Sequence, residues 1–473
     1  MRIPAFATFT LLCISVIASA VEPLAIGSRL ELFVDDYLIE KVTGDVKQQV
    51  TQPAPKEVVL TTDAPWEGNT CAYYTVFRDG DLFRMYYRGA HFDETTKKAA
   101  HREVTCYAES KDGIHWTKPK LRLFEFDGSM ENNIVLSGLG THCFAAFKDE
   151  NPACAADAKY KGISRGGWKG KSALFIFHSP DGIRWKQTQP EPVITEGAFD
   201  SQNLAFWDPN ANLYREYHRT FVKGTRSIMT GTSTDFVNWT KPVLLEFPGT
   251  QPEQLYTNAV LPYEGAPHLL IGFPTRFLPK EGQRVEPTFM ASRDGLTFKR
   301  WLDPVVPEDA PQDRTGNRSN YMAWGLVELP KRPNHWSVYA SEAYYSGPAS
   351  RLRRFEYRKD GFVAVRGGEK GGELITRPIL IDKNATQLIV NFQSADGGSL
   401  RAALETPDGK AIAGYELENC SPLKGDDLGA AIVWKDHADL KSLQGKPVRI
   451  RFELKQADLY SLQFPGSTRE TAR

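Results

Sequence analysis

The sequence predicts an all-β protein, a five-bladed β-propeller followed by a C-terminal β-sandwich. Three observations carry that expectation. A short turn motif recurs along the first three quarters of the chain, strand-like runs replace helical periodicity, and the recurrence stops near residue 370.

The chain opens on Met1 and Arg2, followed by an apolar run from Phe9 to Ile17 and the small residues Ala18, Ser19 and Ala20. That is the pattern of a signal peptide over residues 1–20, so the mature protein is expected to be secreted or periplasmic. The run is too short to span a bilayer, and no later stretch approaches about 20 apolar residues, so no membrane partner is expected. Lys plus Arg and Asp plus Glu each number 58, a balance that gives no reason to expect nucleic acid as a partner.

Residues 21–65 precede the first repeat. Within them Leu30-Glu-Leu-Phe-Val-Asp-Asp-Tyr-Leu-Ile39 reads as a strand that closes the ring against the last blade. The propeller is expected over residues 66–369. Its repeat is Ser110-Lys-Asp-Gly-Ile-His-Trp116, then Ser179-Pro-Asp-Gly-Ile-Arg-Trp185, Ser233-Thr-Asp-Phe-Val-Asn-Trp239 and Ser292-Arg-Asp-Gly-Leu-Thr-Phe298, with a fainter Arg358-Lys-Asp-Gly-Phe362. The intervals between the aspartates are 69, 54, 59 and 66 residues, room for four short antiparallel strands each. Asp-Gly makes a tight turn and the aromatic residue fills the gap between sheets, so the motif is structural. Residues 370–466 alternate in short strands separated by Asp396-Gly-Gly and Pro407-Asp-Gly, as in a sandwich, and 467–473 read as a disordered tail.

Cys13 lies in the apolar run. The remaining five cysteines, Cys71, Cys106, Cys143, Cys154 and Cys420, leave at least one unpaired, with Cys143 and Cys154 a possible clasp. There is no Cys-x-x-Cys pair and no compact oxygen-ligand loop, so neither a metal nor another cofactor is expected.

In a propeller the first strands surround a central depression, and each blade should contribute to a site there. The starts of the first strands carry Glu67-Gly-Asn69, His142, Asp200-Ser-Gln202-Asn203, Tyr256-Thr-Asn258 and Asn320-Tyr321, polar types suited to sugar hydroxyls. The ends of the second strands carry Arg88, Arg165, His218-Arg219 and Arg276, with Glu342 in the last blade. Guanidinium forks grip carboxylates and sulfates, which makes an anionic saccharide a reasonable target. The competing reading pairs each arginine with a neighbouring carboxylate such as Glu216, Glu67 or Asp200. Asp208, in Trp-Asp-Pro, reads as a rim turn.

At these residues the chain resembles the five-bladed propeller glycosidases, the invertase, levansucrase and arabinanase-like group, and in particular glycoside hydrolase family 32. The likeness spans roughly residues 66–365 and includes Asp79-Gly-Asp-Leu-Phe-Arg-Met-Tyr-Tyr87, similar to the family's Asp-Gly plus aromatic strand. The resemblance implies a glycosidase acting through two carboxyl groups. The family's three acidic motifs are absent as written: its nucleophile position falls at Cys71 and its second aspartate at Gln202, and no Glu-Cys pair occurs. Fructan specificity is therefore not expected.

Asp200, Glu342 and Glu67 remain as the candidate carboxylates, with Glu342 as general acid, Asp200 as base or nucleophile, and Glu67 setting charge or binding hydroxyls. Asp35 and Asp36 are rivals. Asn69, Arg88, His142, Gln202, Asn203, His218, Arg219, Tyr256, Asn258, Arg276, Asn320 and Tyr321 are the expected substrate contacts. A non-catalytic glycan-binding propeller and a sialidase-like hydrolase, the latter through Tyr344 or Tyr345 beside Glu342, are the alternatives.

Overall fold

The computed structural model describes residues 22–306, 320–435 and 439–466. The expected signal peptide and C-terminal tail lie outside the described residues. Five antiparallel sheets form the blades of a propeller. Blade 1 runs from its inner strand Ala72–Asp79 through Leu82–Gly89 and Val104–Ser110 to Ile134–Ser137. Blade 2 is Ala145–Lys148, Tyr160–Trp168, Lys171–Ser179 and Lys186–Gln187, and blade 3 is Leu204–Asp208, Leu213–Val222, Thr225–Ser233 and Val243–Leu244. Blade 4 comprises Leu261–Pro262, Leu270–Gly272, Phe289–Ser292 and Phe298–Trp301, and blade 5 Val327–Glu328, His335–Glu342, Arg351–Arg358 and Ala54–Thr61.

The middle strands are apolar on both faces because each blade is covered by a neighbour on either side. In Leu82–Gly89, Phe83, Met85 and Tyr87 enter one hydrophobic cluster while Tyr86 enters the next. The recurring motif links a blade's third strand to its outer edge. In blade 1, Asp112 Oδ1 accepts from the amides of Ile114 and His115, Ser110 Oγ accepts from Gly113 N, and Trp116 Nε1 donates to Gly113 O. Blades 2 and 3 repeat these bonds, and blade 4 repeats all but the one from the ring, Phe298 having no donor.

The motif also latches blades together. The hydroxyls of Tyr339, Tyr86 and Tyr217 donate to the carbonyls of Gly113, Gly182 and Gly295 in the following blade, at 2.7, 2.6 and 2.8 Å. Trp185 packs edge-on against Tyr86 of blade 1, at 5.9 Å between centroids. In blade 3, Phe236 takes the glycine's place at φ 67° and inserts against Phe147 of blade 2. The faint fifth motif is held differently, the Tyr263 hydroxyl donating to the Asp360 carboxylate.

The segment 30–39 does not close the ring. Glu31–Leu32 pairs with Pro447–Gln463, and Ile39–Val50 pairs with Val363–Thr376, both in the C-terminal unit. The outer strand that completes blade 5 is Ala54–Thr61. The apolar residues of 30–39 explain the difference: Leu32 and Val34 pack on the propeller core while Phe33 and Leu38 pack on the C-terminal core, so the segment is a wedge between the two. Asp35 and Asp36 belong to that wedge, paired with Arg293 and Lys299.

The C-terminal unit is an antiparallel sheet built on three long strands, Val363–Thr376, Ile389–Glu405 and Pro447–Gln463. Register shifts between Gly367 and Gly372 and between Ser394 and Ser399 interrupt the ladders midway. Such irregularities bend strands, and here the sheet encloses a core that includes Leu374, Val390, Leu400, Ile450 and Phe452.

At the propeller axis the inner segments of blades 1 and 5 meet directly: Val76 N donates to Trp324 O and Trp324 N to Tyr74 O, each at 2.8 Å. Gln202 of blade 3 reaches across to the carbonyls of Tyr73 and Tyr74, at 3.2 and 3.1 Å. Trp324 Nε1 bonds Val260 O of blade 4. These bonds cross the axis beneath the face where the first strands begin, the bowl side of the ring.

Candidate functional site

The bowl is built where each first strand starts and each second strand turns into the third. On one side a carboxylate, an imidazole and a second carboxylate form a line. His142 Nδ1 lies 2.8 Å from Glu103 Oε2, and His142 Nε2 lies 2.8 Å from Asp200 Oδ1. The three side chains come from blades 1, 2 and 3. The bond to His142 holds the Asp200 carboxyl down at about 2, assisted by Arg219 and Arg165. Burial disfavours a charged His142, but Cys143 and the bonds to Asp200 and Glu103 outweigh it and raise the imidazole to about 11. Burial also opposes ionisation of Glu103, yet His142 and Arg88 bring its pKa below the ordinary value. The centre is thus two carboxylates around one imidazolium, with Asp200 the more open, its side chain 57% exposed.

A largely buried aromatic arc lies beneath this face. Arg88 Nη2 donates to the Tyr344 hydroxyl at 2.9 Å, and its guanidinium lies 4.9 Å from the centroid of Tyr73. Tyr344 meets Tyr321 edge-on at 5.6 Å, and Tyr321 meets Tyr256 at 5.5 Å. The Tyr256 ring is flanked by Arg219 at 4.8 Å and Arg226 at 5.2 Å. Tyr73, Cys143, Asn320 and Tyr345 all hold positive φ around this face, between 58° and 67°, a backbone geometry that L-residues adopt at a cost.

Six of the sequence-predicted residues therefore meet at the bowl: Asp200, His142, Arg88, Arg219, Tyr256 and Tyr321. The other two candidate carboxylates do not join them. Glu67 is buried beneath blade 1, where its carboxylate takes Lys118 Nζ at 2.6 Å, the Tyr87 hydroxyl at 2.5 Å and Ala64 N at 3.0 Å. Glu342 is buried within blade 5 and paired with Arg353 of the adjacent strand. Alternation along the strand is the reason: Ser341, one residue earlier, accepts from Tyr321 N on the bowl side, which turns Glu342 the other way.

Several expected contacts are structural. Asn69 ties the loops of blades 1 and 5 by donating to Phe92 O and Gly347 O, both at 3.0 Å. Gln202 stoppers the axis, Asn203 caps Phe199 O and Ser201 O, and Asn258 bonds Tyr217 O and Val260 N. His218 is fully buried against Glu216, at 2.7 Å, so it has no solvent access. Arg276 is paired with Glu253 and Glu286, at 3.0 and 2.7 Å, which removes it from the expected basic ring. Asn320 is buried beside Tyr321, with no acceptor for its Nδ2 among the described residues.

Sequence reasoning missed Glu103, Arg226 and Tyr73, and it named Tyr344 only for the sialidase-like alternative. Glu103 and Arg226 begin third strands or lie just before them, a position the alignment of first and second strands did not sample. The five cysteines are free, and Cys143 lies in the bowl floor while Cys154 contacts Lys161 Nζ at 3.4 Å, so no clasp joins them. Asp208 caps its turn by accepting from Asn210 N and Ala211 N. Among the described residues no group of three or more His, Cys, Asp or Glu could hold a metal ion. A cleft of about 820 Å³ lies elsewhere, between blade 5 and the C-terminal unit, but most of its charges are paired with one another, Arg358 with Asp426 and Arg366 with Asp458 among them.

No family model and no curated protein matches the sequence. Among solved structures, the chain is similar to a thermostable family-43 glycoside hydrolase, with a TM-score of 0.44 and 13% identity over 67% of this chain and 96% of that one. It is similar to an N-acetylgalactosamine deacetylase from F. plautii in complex with blood group B trisaccharide, with a TM-score of 0.45 and 11% identity over 67% and 97%. A family-32 β-fructofuranosidase from Bombyx mori gives a TM-score of 0.43 and 8% identity over 87% and 94%. At such identities nothing about activity passes from these proteins to this chain.

Proposed function

We propose that the protein is an exported, glycoside hydrolase-like protein that takes a saccharide into the bowl, with Glu103, His142 and Asp200 as its chemical centre. The observation that supports this reading is the juxtaposition of an open, ionised Asp200 with the partly exposed ring of Tyr256, which Arg219 and Arg226 flank and the buried Tyr321 and Tyr344 support from behind. Asp200 is suited to act as base or to steady positive charge developing at an anomeric carbon. The imidazolium of His142 holds that carboxylate in place and is the proton source nearest to it.

A second reading, glycan binding without cleavage, is favoured by one observation: Glu342 and Glu67, the sequence-predicted partners of Asp200, are engaged away from the bowl, and the carboxylate that does join Asp200 there, Glu103, is tied to the same imidazole. The two are separated by incubating the purified chain with neutral, uronic and sulfated polysaccharides, measuring both binding and reducing-end release. Under the catalytic reading Asp200→Asn abolishes release while retaining binding. Binding by the parent with no release from any polysaccharide leaves the second reading, and no binding at all refutes both.

A further inference from the structure

Arg219 lies near the end of the second strand of blade 3 and Arg226 near the start of the third. Arg226 stands directly across the hairpin from Phe221, which shares a strand face with Arg219 two residues away. The two guanidiniums consequently share two rings: Tyr256, at 4.8 and 5.2 Å, and Phe221, at 5.4 and 5.3 Å from the centroid. Arg226 also lies 4.7 Å from the centroid of Phe277.

Other arginines on this face have acidic partners. Arg276 has Glu253 and Glu286, Arg88 has Glu103, and Arg165 faces Asp200. Among the described residues neither Arg219 nor Arg226 has a carboxylate within ion-pair distance. Arg219 is only 5% exposed, and its Nη1 and the Nε of Arg226 have no hydrogen-bond acceptor. Asp200 acts on both guanidiniums only from beyond ion-pair distance, so a buried and a half-buried cation stand side by side without a contacting anion, at a cost that an arriving anion would relieve. Stacking on Tyr256 and Phe221 fixes the guanidinium planes beforehand, which reduces the entropy lost on binding.

We infer that the Arg219–Arg226 pair is a subsite for an oxyanion fixed to the bound saccharide, a sulfate ester or a uronate carboxylate; this rests on the saccharide reading of the bowl. Planar forks match either group. Tyr256 is the partly exposed ring between the pair and the buried Tyr321, so a sugar ring beside Tyr256 would present its anionic substituent to blade 3. Asp200 carries the opposite charge on the same blade and so favours the orientation that keeps the substituent on the guanidiniums.

The test is isothermal titration of the full chain with matched oligomers of a neutral galactan, a sulfated galactan and a polygalacturonate, and with sodium sulfate. One anionic oligomer should bind at least about tenfold more tightly than the neutral one, and its identity distinguishes sulfate from carboxylate. Arg219→Gln and Arg226→Gln should each weaken that binding by about ten- to a hundredfold, while Lys223→Gln at the same hairpin tip changes it little. Arg226 is less buried than Arg219, so its variant remains informative if Arg219→Gln lowers the melting temperature. Equal binding of neutral and anionic oligomers with unaffected variants overturns the inference and leaves the saccharide reading standing. Sodium sulfate binding as tightly as any oligomer overturns it in favour of a free-anion site. If no oligomer binds, the saccharide reading fails and the inference with it.

Discussion

His142 Nε2 lies 2.8 Å from Asp200 Oδ1, joining blade 2 to blade 3 across the bowl. This contact converts a half-exposed aspartate into a firmly ionised one and makes the neighbouring histidine a cation at neutral pH. Asp200 titrates near 2 in the folded chain, against about 3.9 unfolded. Its stabilising contribution is therefore complete above about pH 4 and is lost as pH falls toward 2. His142 moves the other way, from about 6.5 unfolded to about 11, so its contribution is complete below about pH 6.5 and is lost as pH rises through 11. Side-chain NMR of the parent at pH 8 should show His142 as an imidazolium, and Asp200→Asn should bring its titration down. A parent His142 that titrates near 6.5 would contradict the geometry.

Glu67 is expected to matter for stability rather than chemistry. Glu67→Gln leaves Lys118 without its buried partner and should cost about 1–3 kcal/mol, with little change in saccharide affinity once the variant is folded. Chemical denaturation and titration on the same preparation check both halves. Lost affinity at unchanged stability would return Glu67 to the site.

The same logic applies to Glu342, whose partner is Arg353. Glu342→Gln should lower the denaturation midpoint and leave any saccharide turnover unchanged. Turnover abolished in a variant of parental stability would restore the general-acid role.

The blade motif was legible because its signal is local: Ser, Asp, Gly and an aromatic residue make their own turn, so the four clear copies count four blades and Arg358-Lys-Asp-Gly the fifth. The bowl was only half legible. A strand reverses the direction of its side chains at every residue, so aligning Glu342 with arginines by strand ends could not distinguish it from Ser341. Glu103 and Arg226 follow turns of differing length between second and third strands, and their meeting with His142 and Tyr256 is a consequence of ring closure that no local pattern records. The wedge at residues 30–39 was misplaced for a related reason: its apolar residues face two cores, and the sequence does not say which core supplies the strand partners.

The inter-blade latches should contribute separately. Tyr217→Phe leaves the Gly295 carbonyl without its donor and should cost about 1 kcal/mol, whereas Tyr86→Phe leaves Gly182 O its bond from Trp185 Nε1 and should cost less than about 1 kcal/mol. Because they lie at different interfaces, the double variant should lose close to the sum. Denaturant midpoints with unchanged slopes would support this. A double variant no weaker than either single one would show that the hydroxyls do not carry load.

Gly325 makes the sharpest demand on the ring. A Cβ there would stand 1.9 Å from Val76 O, and its φ of 140° disfavours any side chain. The obstacle is backbone, so no rotamer change relieves it, and the Tyr74–Trp324 and Val76–Trp324 bonds that join blades 1 and 5 would have to separate. Gly325→Ala should therefore cost more than about 3 kcal/mol. Gly80→Ala, at φ 63° with open space around it, should cost about 1–2 kcal/mol. Tyr73 immediately precedes Tyr74 in the strand that must move, so the Gly325 variant should also lose saccharide affinity under conditions where it remains folded, whereas the Gly80 variant should not. Equal losses in the two variants would mean that the seam between the first and last blades is not what holds the bowl floor in place.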